Sequence, residues 1–304
     1  MSPESSITST FSLKFFNTQK TFTAIGSIRD EYVDHEFTPF TYSASLNYKP
    51  IKFITINSSY SKNYNLPTFN DLYWMPGGNP DLKEETGWSS DFGIDLKVGS
   101  ENHEINFNTS FFNNFVENMV IWLPTTSTFW TAENVEKLWS TGLETSLKYD
   151  LRLESVQLGL NVFYTYIKSM YVDEKLNIFN ALEHTIHNDY YQNTTDYNGN
   201  QLLYTPEHKG GIIFSSAYKW FRMRYNHCLV GKRYITQDNN NSVDSYQVGN
   251  LSLGGQVRIK TSQLNIQFKI NNIWNQTYEV MAFYAMPLRY YSLSLSYNFN
   301  NSIN

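Results

Sequence analysis

Few residues of this 304-residue chain have the types and spacing that chemistry demands. The nearest to a metal site is the run Glu183-His184-Thr185-Ile186-His187-Asn188-Asp189. His184 and His187 stand three apart, so one helical turn would aim both imidazoles at a transition metal. A histidine pair in a polar loop is as readily solvated, so the run is a weak candidate. The chain has no G-x-S-x-G turn, no phosphate-binding loop and no H-E-x-x-H pair. Neither catalysis nor a cofactor is expected.

The stronger candidates are aromatic. Tyr73, Trp74, Trp122, Trp130, Tyr190, Tyr191, Phe283 and Tyr284 all fall in stretches predicted as long loops. Ring faces suit planar or ring-bearing ligands such as a siderophore, a tetrapyrrole or a sugar. Two plainer uses compete: long loops packing on themselves, and the aromatic belt at a membrane interface.

These loops need elements to hold them, and composition says which. Aromatics and charged residues each make up 17% of the chain. A soluble domain carries about a quarter charged residues. Mean hydropathy is still low, at −0.45. Strands with one apolar and one wet face give that combination. No apolar run reaches the roughly 18–20 residues of a membrane helix. The single Cys228 excludes an internal disulfide, and the net charge of −5 without a basic stripe argues against nucleic acid.

The dominant period is two, the period of a strand. Near the C-terminus Tyr291, Leu293, Leu295, Tyr297 and Phe299 alternate with Ser292, Ser294, Ser296 and Asn298. Leu264, Ile266, Phe268 and Ile270 alternate with Gln263, Asn265, Gln267 and Lys269. About thirteen strands are predicted, over 7–16, 20–29, 40–49, 51–63, 86–99, 102–119, 139–150, 153–170, 207–218, 220–234, 245–260, 261–271 and 287–299. Most reach the 9–11 residues or so of a membrane strand.

Their connections alternate in length. Short ones lie near Thr18, Lys49–Pro50, Ser100–Glu101, Leu151–Arg152, Lys219–Trp220 and Lys260–Thr261. Long ones span 30–39, 64–85, 120–138, 171–206, 235–244 and 272–286. Outer-membrane barrels sort their connections this way, short on the periplasmic side and long outside. Lys97, Glu144, Lys148 and Lys269 lie opposite the apolar stripe. A cation facing the bilayer midplane costs about 2–4 kcal/mol, so the stripe is assigned to lipid and the polar face to a wet lumen. A soluble barrel would show the same alternation, but not the loop parity or the strand length.

An odd strand count does not close a single-chain bacterial barrel, and an open edge in lipid leaves backbone groups unpaired. MSPESSITST does not read as a signal peptide. An N-terminally truncated chain is expected.

Three stretches resemble the C-terminal half of TonB-dependent outer-membrane receptors. Ser59-Tyr60-Ser61 precedes Asn65-Leu66-Pro67-Thr68-Phe69-Asn70-Asp71-Leu72-Tyr73, then Gly78-Asn79-Pro80-Asp81-Leu82-Lys83-Glu84-Glu85. In that family a Pro-containing segment, an acidic-Leu-aromatic triplet and a Gly-Asn-Pro-x-Leu-x-x-Glu run occur in this order. Asn65 stands where the family often has Arg, so no role of that Arg carries over. The second stretch is Asn271-Asn272-Ile273-Trp274-Asn275, with Tyr278-Glu279, Met286-Pro287-Leu288-Arg289 and a closing strand to Phe299. Leu288 replaces a Gly of the family, and five residues follow the terminal aromatic. The third, Thr141-Gly142-Leu143-Glu144, resembles a small-Gly-x-Glu strand opening. Pro67, Leu72, Gly78, Asn79, Pro80, Leu82, Glu85, Asn272, Tyr278, Pro287, Arg289 and Phe299 are read as scaffold that shapes loops and their return into the barrel.

The resemblance covers about residues 40–299. It implies an all-β fold: a transmembrane antiparallel β-barrel of about 22 strands. Residues 1–304 would be its C-terminal portion, with no plug domain. It also implies multi-pass residence in the bacterial outer membrane. The function implied is TonB-coupled import of a scarce ligand of the iron–siderophore, haem or cobalamin class. The partners implied are membrane lipid, the TonB complex through the missing N-terminal part, and the imported ligand. A surface lipoprotein or a second chain completing the barrel is a further partner to consider. The alternatives are a passive porin or other pore, a half-barrel completed by a second chain, an outer-membrane enzyme, and a soluble all-β binding protein.

Overall fold

The computed structural model describes residues 5–17, 20–33, 36–37, 40–124, 129–172, 199–259 and 262–298. The elements are β1 (Ser5–Asn17), β2 (Lys20–Val33), β3 (Glu36–Phe37), β4 (Thr41–Ile51), β5 (Ile54–Asn65), α1 (Phe69–Tyr73), β6 (Glu85–Gly99), β7 (His103–Pro124), β8 (Trp130–Arg152) and β9 (Val156–Tyr171). They continue with β10 (His208–Tyr218), β11 (Phe221–Val230), β12 (Arg233–Tyr234), β13 (Ser242–Val243), β14 (Tyr246–Ile259), β15 (Ser262–Asn271), β16 (Glu279–Met281), β17 (Tyr284–Ala285) and β18 (Tyr290–Asn298).

Thirteen strands form one meander in the order β1-β2-β4-β5-β6-β7-β8-β9-β10-β11-β14-β15-β18, with β3 beside β2. Every pairing is antiparallel. β12–β13 and β16–β17 are separate two-stranded ribbons in the long connections. The expected count of about thirteen holds. Among the described residues no helix is long and apolar enough to cross a membrane, which says nothing of strands.

Register carries the two faces from strand to strand. Leu96 lies opposite Phe107, Phe107 opposite Leu147, Leu147 opposite Val162 and Val162 opposite Ile212. Leu253, Phe268 and Leu293 continue the stripe on β14, β15 and β18. These rings and branched chains have no second layer over them: Leu293 is 64% exposed and Leu295 66%. So large an apolar surface suits hydrocarbon and not water. On the other face Asn106 lies opposite Lys148 and Lys148 opposite Asn161. The wall is therefore apolar outside and polar inside. Among the described residues the buried apolar cluster is small: Trp139, Met170 and Val172, with Phe115 against them.

One expectation fails. Residues 120–138 were expected to be a loop, which put Trp122 and Trp130 in it. Both belong to strands instead: β7 runs 22 residues and β8 runs 23. Trp122 pairs with Ala132 and Trp130 with Pro124. Glu133 and Lys137 lie within β8, and a charge that faces lipid is costly. That rule applies only inside the bilayer. A tilted strand needs about 11 residues to cross, so about half of this hairpin stands in water, where charge costs little. The register is the same along the whole hairpin; only the rung at Asn118, whose φ is 55°, is missing between Glu117–Lys137 and Met119–Val135. The loop predicted at 64–85 also holds α1.

Candidate functional site

The site begins with a five-residue helix that its sequence caps at once. Thr68 Oγ1 accepts from Asp71 N–H at 3.3 Å, and Asp71 Oδ2 accepts from Thr68 N–H at 2.8 Å. This reciprocal pair is a capping box. The other carboxylate oxygen, Asp71 Oδ1, accepts from the Trp122 indole N–H at 2.9 Å. One side chain thus caps the start of α1 and holds the β5–β6 connection against the β7–β8 hairpin. Partial burial of Asp71 raises its pKa. The donors Thr68 Oγ1, Thr68 N–H and Trp122 outweigh that and hold the carboxyl below its ordinary value.

After the helix the chain must approach β8 very closely. Gly77 O accepts from Ala132 N–H at 2.8 Å. A Cβ on Gly77 would lie 1.8 Å from Trp130 O, so no side chain fits. Further along, Asn134 ties the same connection down. Its Oδ1 accepts from Lys83 N–H at 2.8 Å, and its Nδ2 donates to Lys83 O at 3.1 Å and Asn118 O at 2.6 Å.

The result is an aromatic recess of about 510 Å³ at the outer end of the hairpin. Its lining is Asn70, Trp74, Pro76, Trp122, Phe129 and Trp130. The Tyr204 ring stands 6.2 Å from Trp130. Three of the eight sequence-chosen aromatics, Trp74, Trp122 and Trp130, are brought together here. Tyr73 lies beside the recess, with its ring 5.8 Å from Phe69. Phe283 and Tyr284 stand apart at the tip of the β16–β17 ribbon, 92% and 69% exposed. Tyr190, Tyr191, His184 and His187 lie outside the described residues, as does Phe299. Among the described residues no group of three potential metal ligands occurs. Phe129 and Tyr204 were missed. Phe129 adjoins Trp130 in sequence and could have been chosen with it; nothing local marks Tyr204.

The motif residues hold the outer ends of the wall. Glu85 Oε1 accepts from Val120 N–H at 2.6 Å, and its Oε2 accepts from Asn65 Nδ2 at 2.9 Å. Asn65 thus donates to the carboxylate at the start of β6. Asn79 Oδ1 accepts from Asp81 N–H at 3.0 Å, which turns the chain at Pro80. Gly78 packs over α1, where a Cβ would sit 2.5 Å from Trp74 N. Pro67, Leu72 and Leu82 are half-buried around it. At the far end Asn272 is 2% exposed with a φ of 51°. Its Nδ2 donates to Gln276 O at 2.7 Å and Pro287 O at 3.3 Å, and its Oδ1 accepts from Gln276 N–H at 2.9 Å. Asn275 Oδ1 accepts from Arg289 N–H at 3.0 Å, and the Tyr278 ring lies tilted against Tyr246, 4.7 Å between centroids.

A polar-lined, lipid-faced antiparallel wall carrying long connections on one side is the wall of a membrane β-barrel. The profile described as "TonB dependent receptor-like, beta-barrel" matches residues 4–273, and the chain belongs to that family. It is similar to a vitamin B12 transporter BtuB of Vibrio vulnificus, 33% identical over 105 residues, 34% of this chain and 16% of the relative. A vitamin B12 transporter BtuB of Photobacterium profundum is 21% identical over 279 residues, 90% of this chain and 40% of the relative. The chain thus spans about two fifths of the relatives it follows along most of its length. Among solved structures, the ferric preacinetobactin receptor BauA of Acinetobacter baumannii superimposes with a TM-score of 0.59 at 16% identity, over 96% of this chain and 43% of that one. The FrpB iron transporter of Neisseria meningitidis gives 0.59 at 12%, over 97% and 45%. At such identity the likeness establishes the fold alone. The relatives are named as transporters and receptors, not enzymes.

Proposed function

We propose that residues 1–304 are the C-terminal portion of an outer-membrane receptor that imports a scarce ligand of the iron–siderophore, haem or cobalamin class. The import is coupled to TonB through sequence N-terminal to the barrel, and the whole wall has about 22 strands. The family match over residues 4–273 carries this reading. The relatives aligned over 90% of the chain are named vitamin B12 transporters, which puts a corrin-type ligand first. The aromatic recess is the ligand-contact surface. Its indoles offer ring faces to a planar or ring-bearing ligand, and Asn70 offers an amide at the rim.

The test is uptake of labelled cyanocobalamin, haemin and a ferric siderophore by cells carrying the full-length protein. One ligand is expected to accumulate saturably, and accumulation is expected to stop when the proton gradient is collapsed or TonB is removed. Uptake that is linear in concentration and insensitive to both treatments would mean a passive pore. Trp122→Ala with Trp130→Ala is expected to weaken binding by roughly 5- to 30-fold, as for the loss of 1–2 kcal/mol of ring contact.

A further inference from the structure

The inner face of the wall is divided by charge. On β6, β7 and β8 the inward positions carry the acids Asp91, Asp95, Glu104, Glu144 and Asp150, with the bases Lys97, Lys148 and Arg152 among them. Most of these acids have partners within the wall. Ser59 Oγ donates to Asp91 at 3.0 Å and Asn57 Nδ2 to Asp95 at 2.8 Å. Lys97 pairs with Glu104 at 3.2 Å and Lys148 with Asp150 at 2.8 Å. On β10, β11, β14 and β15 the inward positions carry Lys209, Arg222, Arg224, Arg258 and Lys269, and no carboxylate.

Arg222 and Arg224 are the centre of this sector. They are neighbours on the same face of β11, opposite Gly254 and Ser252 on β14 and Ala217 and Ser215 on β10. Successive same-face residues stand about 7 Å apart, so the two guanidinium groups repel each other. Both are exposed, and among the described residues neither has a hydrogen-bond or ion-pair partner. They line a recess of about 580 Å³ whose other polar walls include a third guanidinium, Arg152, with Gln157, Gln256 and Gln267. The carboxylate at its rim, Asp150, is already paired with Lys148. The recess lies next to the short turns at 153–155 and 219–220, at the end of the wall away from the aromatic site. Small uncharged neighbours on β10 and β14, two forked guanidinium groups with free donors and the nearby Arg152 form a receptor for an oxyanion, which one fork binds in bidentate fashion.

We infer that this recess binds an oxyanion, a carboxylate or a phosphate. The group comes either from a solute crossing the lumen or from acidic side chains of polypeptide packed in it. The inference rests on the wet inner face and not on the import reading: uptake can fail while the recess still binds its anion.

The test uses the full-length protein in detergent at low salt, titrated calorimetrically with inorganic pyrophosphate and with succinate. A parallel arm follows the rate at which an impermeant maleimide labels Cys228, which shares the inward face of β11, by peptide mass spectrometry. If the source is a solute, the probe anions bind wild type. Arg222→Ala with Arg224→Ala then lowers affinity by roughly tenfold or more, and Arg222→Lys with Arg224→Lys loses less because charge remains without the fork. If the source is polypeptide, the anions do not bind wild type, and the double alanine variant labels at Cys228 several-fold faster. Wild type that binds neither probe, with a labelling rate unchanged in both double variants, would overturn the inference. The lysine pair preserves the charge of the wall, so it remains informative if the alanine pair folds poorly.

Discussion

Exchanging the environment of one arginine across two adjacent positions tests which face meets lipid. Leu147 and Ser146 are neighbours on β8 and point to opposite faces. Leu147 is 46% exposed and lies between Phe107 and Val162. It stands five positions before Arg152, where the strand ends. At about 3.4 Å per residue and a tilt near 45° that is about 12 Å above the end, close to the middle of an apolar band about 25 Å tall. Arginine there costs about 2–4 kcal/mol, which is roughly a 30- to 1,000-fold loss in the folding constant. Ser146 lies between Asn108 and Phe163 and shares an inner recess with Asp95 and Glu144. Arginine there meets water and two carboxylates, so its effect is within about 0.5 kcal/mol. The assay is reversible urea unfolding of the full-length protein in phosphatidylcholine vesicles, followed by tryptophan emission. Leu147→Arg is expected to lower the midpoint strongly and Ser146→Arg to leave it in place. Equal effects, or a larger one at Ser146, would refute the assignment of faces and return the chain to a soluble barrel.

Three further outcomes follow from the site and its supports. Gly77→Ala forces β8 and the β5–β6 connection apart, a cost of about 1–3 kcal/mol, and is expected to quench ligand binding while leaving the urea midpoint of the wall nearly unchanged. Asn272→Ala removes three hydrogen bonds at a residue of positive φ and is expected to cost about 2–4 kcal/mol locally, read as faster proteolysis between residues 273 and 289; Asn272→Gly keeps the backbone state and should cleave more slowly than the alanine variant, and equal rates would show that φ contributes nothing. Because the Asp71 carboxyl is held below its ordinary value, its grip on Trp122 is complete above about pH 3.9 and is lost as pH falls through the lower folded value; tryptophan emission should change only below that point, and Asp71→Asn should abolish the change.

The sequence alone determined the wall. Alternation at period two is written residue by residue, so the strands from Ile54 to Asn65 and from Ser262 to Asn271 could be placed with little error. Short turns and long connections are equally local, and so is the rule that Lys148 must avoid lipid. The capping box at Thr68 and Asp71 is local in the same way, spanning four consecutive residues. The recess was legible only as a list of rings. What joins Trp122 to α1 is a hydrogen bond between residues 51 apart, and what seats Trp130 is the missing side chain of Gly77. The two tryptophans were assigned to a loop over residues 120–138, whereas they lie on β7 and β8. Only the structure shows where the bilayer rule ceases to apply, since height above the membrane depends on the register of every strand before it. The division of the inner wall by charge has the same origin: Arg222 and Arg224 lie far along the chain from Asp95, and only strand order decides which sector each one faces.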